Sequence, residues 1–316
     1  MNIAIMASGG DCSGMNPAIK RFVEYTKQNN LNPYFIFDGL EGLIDANFKK
    51  ASYLDVSGII YRGGTILRSS RSKRFFEKKY RQKAYENLKK HDIQTVVVLG
   101  GDGSFRAFEV LSEEFGINFI GIPSTIDNDI YGTDYCLGVD TALNVIRGAI
   151  DDIRDTAMSF KRAFVIETMG RECGYLALIS AITSGAEMCL IAEAPYNLDS
   201  LKRKFLKSKR KYFLAIVAEG LNISKDIKGW FENEIGIESR LTILGHIQRG
   251  GNPTVFDRRV AFEFATYAID LVLNDKKNQV VVFKDSKVKS LDSKIVTSNR
   301  YRLDQHLLNI AQELMH

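Results

Sequence analysis

Two short runs of β-branched and apolar residues, Val96 to Leu99 and Phe119 to Ile122, constrain the chain most. Both have the character of buried strands, and each ends in a loop that presents acids among small residues. The first loop reads Gly100-Gly101-Asp102-Gly103-Ser104, and the second Pro123-Ser124-Thr125-Ile126-Asp127-Asn128-Asp129. A helix over Phe105 to Glu114 would join the runs as neighbouring parallel strands. In such sheets ligands sit beyond the carboxyl ends of the strands. Asp102, Asp127 and Asp129 are therefore expected on one rim, facing one crevice.

Gly100, Gly101 and Gly103 have no Cβ, so a phosphate chain can approach their backbone N–H groups closely. Ser104 is expected to begin a helix whose N-terminal dipole favours anions. Asp102 would repel a phosphate unless a divalent cation bridges the two, and Mg²⁺ prefers one or two carboxylates plus phosphate oxygens. Asp127 and Asp129 alternate in what reads as an extended loop, so one could accept a hydroxyl proton while the other supports metal or substrate. A lone aspartate after a strand more often caps a turn. Three acids and four small residues at two strand ends together point instead to phosphoryl transfer.

Motifs recur in order along the whole chain: Ser8-Gly9-Gly10-Asp11, Gly100 to Ser104, Pro123 to Asp129, Met169-Gly170-Arg171 and Gly245-His246-Ile247-Gln248-Arg249-Gly250-Gly251. Together they resemble the bacterial short-chain type of ATP-dependent 6-phosphofructokinase (the phosphofructokinase A family). A lone Gly-Gly-Asp-Gly would be weak, because NAD kinases and lipid kinases carry something similar. The resemblance implies an α/β fold of two Rossmann-like lobes, mainly parallel sheets flanked by helices, with the active site in the cleft between them. It implies an ATP-binding lobe of residues 1–138 plus 251–301 and a fructose 6-phosphate-binding lobe of 139–250 plus 302–316.

The remaining roles follow from that resemblance. Gly10, Arg71, Ser72, Gly101, Asp102, Gly103 and Ser104 match nucleotide-binding positions, with Asp102 at the metal. Asp127 matches the base, assisted by Thr125, Arg71, Arg171 and Gly10. Thr125, Asp127, Asp129, Met169, Gly170, Arg171, Glu219, His246 and Arg249 match sugar-phosphate positions. Arg162 and Arg240 match residues that reach a neighbouring subunit's site, which implies a homotetramer. A guanidinium fork suits a phosphate, although any one such arginine is more often a surface ion pair, and His246 alone more often structural. Arg68 stands where relatives commonly have glycine.

Donor choice turns on Gly103 and Ser124. Pyrophosphate-using relatives carry a bulkier acid after Gly-Gly-Asp and a lysine before Thr-Ile-Asp-Asn-Asp; here both positions are small and uncharged, which favours ATP. The effector site of the family, which takes ADP or phosphoenolpyruvate, maps to Lys20, Arg21, Arg154, Glu187, Arg210 and Lys211. Lys20, Glu24, Tyr53 and Gly58 replace the usual Arg, Arg, Arg and Asp, so a weakened response is expected. Arg21 follows Lys20 by one residue, about 100° around a helix, and should face elsewhere. The alternatives are a kinase of another phosphosugar such as tagatose 6-phosphate, or a silent nucleotide-sensing subunit.

Composition narrows the partners. The 316 residues carry a net charge of +5, with basic stretches at Ser72 to Lys90 and Lys202 to Lys211. Phe75, Phe76, Tyr80, Tyr85 and Leu88 interleave the first at near-helical spacing, so amphipathic helices with solvated basic faces are expected rather than nucleic-acid binding. No apolar run approaches the roughly 20 residues of a membrane span. Met1 to Ala7 has no basic n-region, so a cytoplasmic protein is expected. Cys12, Cys136, Cys173 and Cys189 show no metal spacing and are expected as free thiols.

Elements beyond the first half are expected as follows: helices over Asp140 to Asp155, Glu172 to Thr183, Val255 to Leu273 and Leu303 to Leu314; strands over Ala163 to Glu167, Leu214 to Val217, Thr242 to Leu244 and Val280 to Phe283. Asn16-Pro17 reads as an N-cap followed by proline at the first helical position.

Overall fold

A computed structural model describes residues 1–208 and 210–315. Lys209, in the second basic stretch, and His316, at the end of the second expected lobe, lie outside the described residues. In chain order the first elements are β1 (Asn2–Ala7), α1 (Met15–Gln28), β2 (Asn32–Ile36), α2 (Gly39–Ile44), β3 (Phe48–Lys50), α3 (Lys78–Lys90), β4 (Ile93–Gly100), α4 (Asp102–Phe115) and β5 (Asn118–Pro123). There follow α5 (Val139–Phe160), β6 (Ala163–Thr168), α6 (Tyr175–Ser184), β7 (Met188–Leu190), α7 (Leu198–Lys207), β8 (Phe213–Ala218), α8 (Ser224–Trp230) and β9 (Ser239–Ile243). The last are α9 (Val255–Leu273), β10 (Gln279–Lys284), β11 (Lys287–Asp292), α10 (Ser293–Ser298) and α11 (Gln305–Met315).

The chain divides into two compact units, one of residues 1–125, 130–141 and 249–301, the other of 126–129, 142–248 and 302–316. Residues 126–129, 139–141 and 249–250 thus group differently from the sequence expectation.

The first unit holds a seven-stranded sheet in the order β11-β10-β5-β4-β1-β2-β3. Its strands are parallel except for the edge pairs β10/β11 and β2/β3. The continuous apolar runs explain this: Ile3 to Ala7 and Val96 to Leu99 are fully buried, as strands covered on both faces must be. Each buried Ile, Met, Val or Leu among them contributes roughly 1.5–3 kcal/mol, and the two alanines less. In register, Ala7 pairs with Leu99, and Leu99 with Ile122. The three loops that follow β1, β4 and β5 therefore leave one edge of this sheet at the same level.

The second unit holds a four-stranded, all-parallel sheet in the order β7-β8-β6-β9. Along α5, Ala142, Ile146, Ile150 and Ala157 are fully buried, the stripe expected from a 3.6-residue period. The final helices end within a turn of their expected limits, whereas β2, β3, β7, β11 and α10 have too little periodicity to be read from sequence. No described helix is long and apolar enough to cross a membrane.

One capping expectation fails. Helix α1 starts at Met15 behind Gly14, whose φ of 102° is left-handed, so Asn16 lies inside the first turn. Its side chain instead donates to the carbonyls of Arg62 and Gly63, both at 3.1 Å, and accepts from Ile66 N at 2.8 Å. A residue that caps a helix by composition is here spent on holding the 62–66 loop.

Candidate active site

In the first unit the glycines follow from close backbone approaches. A Cβ on Gly100 would lie 2.8 Å from the Ser104 side chain and 2.9 Å from the Ser8 carbonyl. The loops are tied together by Ser8 N donating to Leu99 O and Ser124 N to Gly100 O, each at 2.9 Å. Gly103, by contrast, faces open space, with nothing within 4 Å of a built Cβ. Helix α4 begins at Asp102, two residues before the expected Ser104, because extended Gly101 acts as its cap. Asp102 thus stands in the first turn, where a carboxylate favours the helix dipole. Arg106 Nε reaches its Oδ2 at 2.7 Å. The same Arg106 also donates to the Thr297 carbonyl.

Thr125 lies beside Gly101: a Cβ on Gly101 would lie 3.9 Å from Thr125 Cβ. Gly10 and Arg249 also come together: a Cβ on Gly10 would lie 2.8 Å from Arg249 Nη1. Arg249 Nε is buried and has no acceptor among the described residues, so the guanidinium is held against the Gly10 backbone with a donor unspent. Arg71 is exposed, whereas Ser72 is buried, its hydroxyl accepting from Phe75 N at 3.1 Å.

Arg68 has a φ of 57°, in the left-handed region. Glycine enters that region without the steric cost other residues carry, which gives a physical reason for glycine in relatives. Here the arginine fork grips Asp38, with Nη2 to Oδ2 at 2.7 Å. Asp38 in turn takes Ser70 Oγ on its carbonyl at 2.6 Å. The clasp fixes the segment leading into Arg71.

In the second unit Asp127 is buried at 3% exposure and Asp129 half-buried. The expected extended loop is a turn, because Asn128 between them has a φ of 53°, a conformation asparagine tolerates better than most residues. Alternation therefore does not set the directions of the two aspartates. Arg171 Nε lies 3.3 Å from Asp127 Oδ2.

Arg171 also has a left-handed φ, of 52°, and its surroundings fix it. Glu219 Oε1 accepts from Gly170 N at 3.3 Å and Arg171 N at 3.0 Å. A Cβ on Gly220 would lie 1.9 Å from the Arg171 carbonyl, so only glycine fits there. Met169 is buried, while His246 is exposed on the 3₁₀ turn Gly245–Arg249. Gln248, which the sequence reading does not single out, is 1% exposed and hydrogen-bonds to Met169 N.

The four cationic candidates of the second unit, Arg162, Arg171, Arg240 and His246, do not converge in this chain. Met169 to Arg171 and His246 follow the carboxyl ends of β6 and β9. Arg162 precedes β6, and Arg240 is the second residue of β9. At roughly 3.3 Å per residue the two groups lie roughly 20 Å apart, at opposite edges of one sheet. Arg162 and Arg240 share Glu238, Arg162 Nε reaching Oε2 at 2.7 Å. These arginines hold Glu238 below the usual carboxylate range, the Arg162 hydrogen bond contributing most.

The effector candidates also separate. Arg21 Nε donates to Thr266 Oγ1 at 2.8 Å, and the guanidinium lies 4.1 Å over the Phe262 ring. It faces α9, away from Lys20, as the one-residue offset implies. Lys20 pairs with Glu24 at 2.5 Å. Arg154 donates to the Ser184 carbonyl and Arg210 pairs with Glu187. Glu187 and Arg210 help line a cavity of about 360 Å³, together with Lys204, Phe205 and Phe213. Lys211 is exposed. All four cysteines are buried, so Cys12 is inaccessible to oxidants despite its glycine-rich loop. Among the described residues no group of three or more His, Cys, Asp or Glu could hold a metal by itself.

The family profile described as Phosphofructokinase matches residues 2–272. A Sulfurimonas denitrificans protein named ATP-dependent 6-phosphofructokinase is 58% identical over 316 residues, covering 99% of each chain. A Sulfurovum protein of the same name is 60% identical over 316 residues, covering 99% of this chain and 97% of its own. The solved structure of phosphofructokinase from Saccharomyces cerevisiae matches with a TM-score of 0.89 at 30% identity. That match covers 99% of this chain and 46% of the yeast chain. On this similarity, over nearly the full length and with each motif in place, the chain belongs to the phosphofructokinase family.

Proposed function

We propose that the protein transfers the γ-phosphoryl group of ATP to the 1-hydroxyl of fructose 6-phosphate, giving fructose 1,6-bisphosphate and ADP. The observation that carries the donor is Gly103. It stands one residue into α4 with open space where a side chain would project, and that space suits the α-phosphate of a nucleotide. Ser124, buried with its hydroxyl on the Ile122 carbonyl at 3.0 Å, offers no cation to a compact diphosphate. The silent-subunit alternative loses ground, because Asp102, Asp127 and Asp129 are all present. Equal amounts of sugar bisphosphate and ADP by ³¹P NMR would support the reading. ATP consumption without sugar product would contradict it.

In this reading residues 1–125, 130–141 and 249–301 hold the nucleotide and include Thr125 and Arg249 of the sugar-phosphate set, while the remainder carries the other sugar-phosphate residues. The bare backbone of Gly100 to Gly103 and the start of α4 take the phosphates. Arg71, exposed, offsets charge during transfer. Asp127 takes the proton from the acceptor hydroxyl, Thr125 orients that hydroxyl, and Arg171 meets the moving phosphoryl group. Positioning and electrostatics dominate such transfers.

The residues fit Mg²⁺. Asp102 supplies one partly exposed carboxylate at a helix start, and no closed protein cage exists among the described residues, which suits an ion completed by phosphate oxygens and water. Bound there, Mg²⁺ would neutralise charge on the phosphates. Arg106 must then share or release Asp102.

Arg171, His246 and Glu219 would hold the sugar phosphate in the same chain. Arg162 and Arg240, at the far edge of the same sheet, are suited to a neighbouring copy, which favours a homotetramer with shared sites. A cytoplasmic location accords with a glycolytic role.

A further inference from the structure

We infer that Gln248 is a positioning residue for sugar-phosphate recognition: its side-chain amide locks the Met169-Gly170-Arg171 segment to the turn that carries His246. The inference rests on the sugar-phosphate role proposed above for these two segments.

Strands β6 and β9 are paired in parallel up to Glu167 and Ile243, and the last ladder bond runs from Leu244 N to Glu167 O at 3.1 Å. Beyond it the two chains part. The next inward N–H, on Met169, is met by a side chain: Gln248 Oε1 accepts from it at 3.1 Å. The other end of the same amide, Nε2, donates to the Gly245 carbonyl at 2.9 Å. The partners fix the amide's orientation, since an N–H requires the oxygen and a carbonyl requires the NH₂. Gln248 is 1% exposed, so water cannot replace either bond at low cost.

This arrangement does two things at once. It continues the sheet pairing past the strand ends, and it closes the turn from Gly245, whose φ of 53° is left-handed. Met169, Gly170 and Arg171 thus have all three backbone N–H groups held by side chains, the first by Gln248 and the others by Glu219. Glu219 belongs to the proposed sugar contacts. Gln248 is itself buried, so it acts on the substrate only through the two segments it joins. Loss of its amide should let Arg171 and His246 drift relative to each other while the nucleotide loops stay as they are.

The test compares wild type, Gln248→Leu and Gln248→Glu. Leucine is similar in volume and makes neither bond; ionised glutamate keeps the acceptor for Met169 N and loses the donor to Gly245. In Gln248→Leu we expect the KM for fructose 6-phosphate to rise at least tenfold, with the KM for ATP within twofold of wild type. Gln248→Glu should recover part of that loss. If Gln248→Leu does not fold, Gln248→Glu alone should show the same split at smaller amplitude. A folded variant whose two KM values both stay within twofold of wild type, or rise together, would overturn the inference. A wild type that turns over no fructose 6-phosphate would instead overturn the functional reading and this inference with it.

Discussion

Arg171 Nε and Asp127 Oδ2 stand 3.3 Å apart, one side chain 55% exposed and the other 4%. The proposed base is therefore sheltered and already faces a cation, while the cation still reaches solvent. An incoming phosphoryl group can engage Arg171 from the open side without uncovering Asp127. General-base catalysis typically contributes about 10²–10⁴-fold. Asp127→Asn, close in shape and unable to take the proton, should lower kcat by at least about 10²-fold with substrate binding retained. Steady-state kinetics with both substrates varied checks this; a loss under about tenfold would remove Asp127 from the role.

Asp257 predicts a pH effect on stability. Fully buried in α9, it accepts from Gly138 N and Thr141 N, each at 2.9 Å, and from Thr141 Oγ1 at 2.5 Å. Burial pushes its carboxyl up to about 6 despite these bonds. A raised carboxyl favours the protonated folded state, so its contribution is full below about pH 4 and fades as pH rises through about 6. A rise of roughly two units corresponds to about 3 kcal/mol. Thermal melts between pH 4 and 8 should show wild type gaining on Asp257→Asn as pH falls. Parallel profiles would contradict the assignment.

The left-handed Arg68 predicts an ordering of variants. Arg68→Ala and Arg68→Gly both lose the grip on Asp38, but only glycine takes a φ of 57° freely. The glycine variant should melt above the alanine variant. The reverse order would mean that the backbone relaxes when the arginine is removed.

Regulation should be weak. Lys20 is neutralised by Glu24 one turn away, and Arg21 is committed to α9. A phosphate-bearing effector therefore meets fewer free cations than the family arrangement provides. Rate curves for fructose 6-phosphate should stay hyperbolic when ADP or phosphoenolpyruvate is added. Sigmoidal inhibition by sub-millimolar phosphoenolpyruvate would contradict this.

Much of the fold was legible because its signals are local. The buried runs at Val96 to Leu99 and Phe119 to Ile122 became β4 and β5, and Val255 to Leu273 became α9 at its expected limits. Short edge strands such as β3 and β7 escaped because three residues carry no period. Asn16 was misread as a cap because its partners lie some fifty residues away in sequence. The turn at Asn128 was misread because alternation alone does not reveal a positive φ. Periodicity alone does not separate Arg162 and Arg240 from Arg171 along β6 and β9; the family resemblance does, by pointing the first two to a neighbouring subunit. Nor does periodicity single out Gln248, whose role depends on where two strands stop pairing.

The most direct measurement is a coupled assay of purified protein with fructose 6-phosphate and Mg²⁺, supplied with either ATP or pyrophosphate. Open space at Gly103 and the uncharged Ser124 predict turnover with ATP and none with pyrophosphate. Turnover with pyrophosphate, or with neither donor, would contradict it.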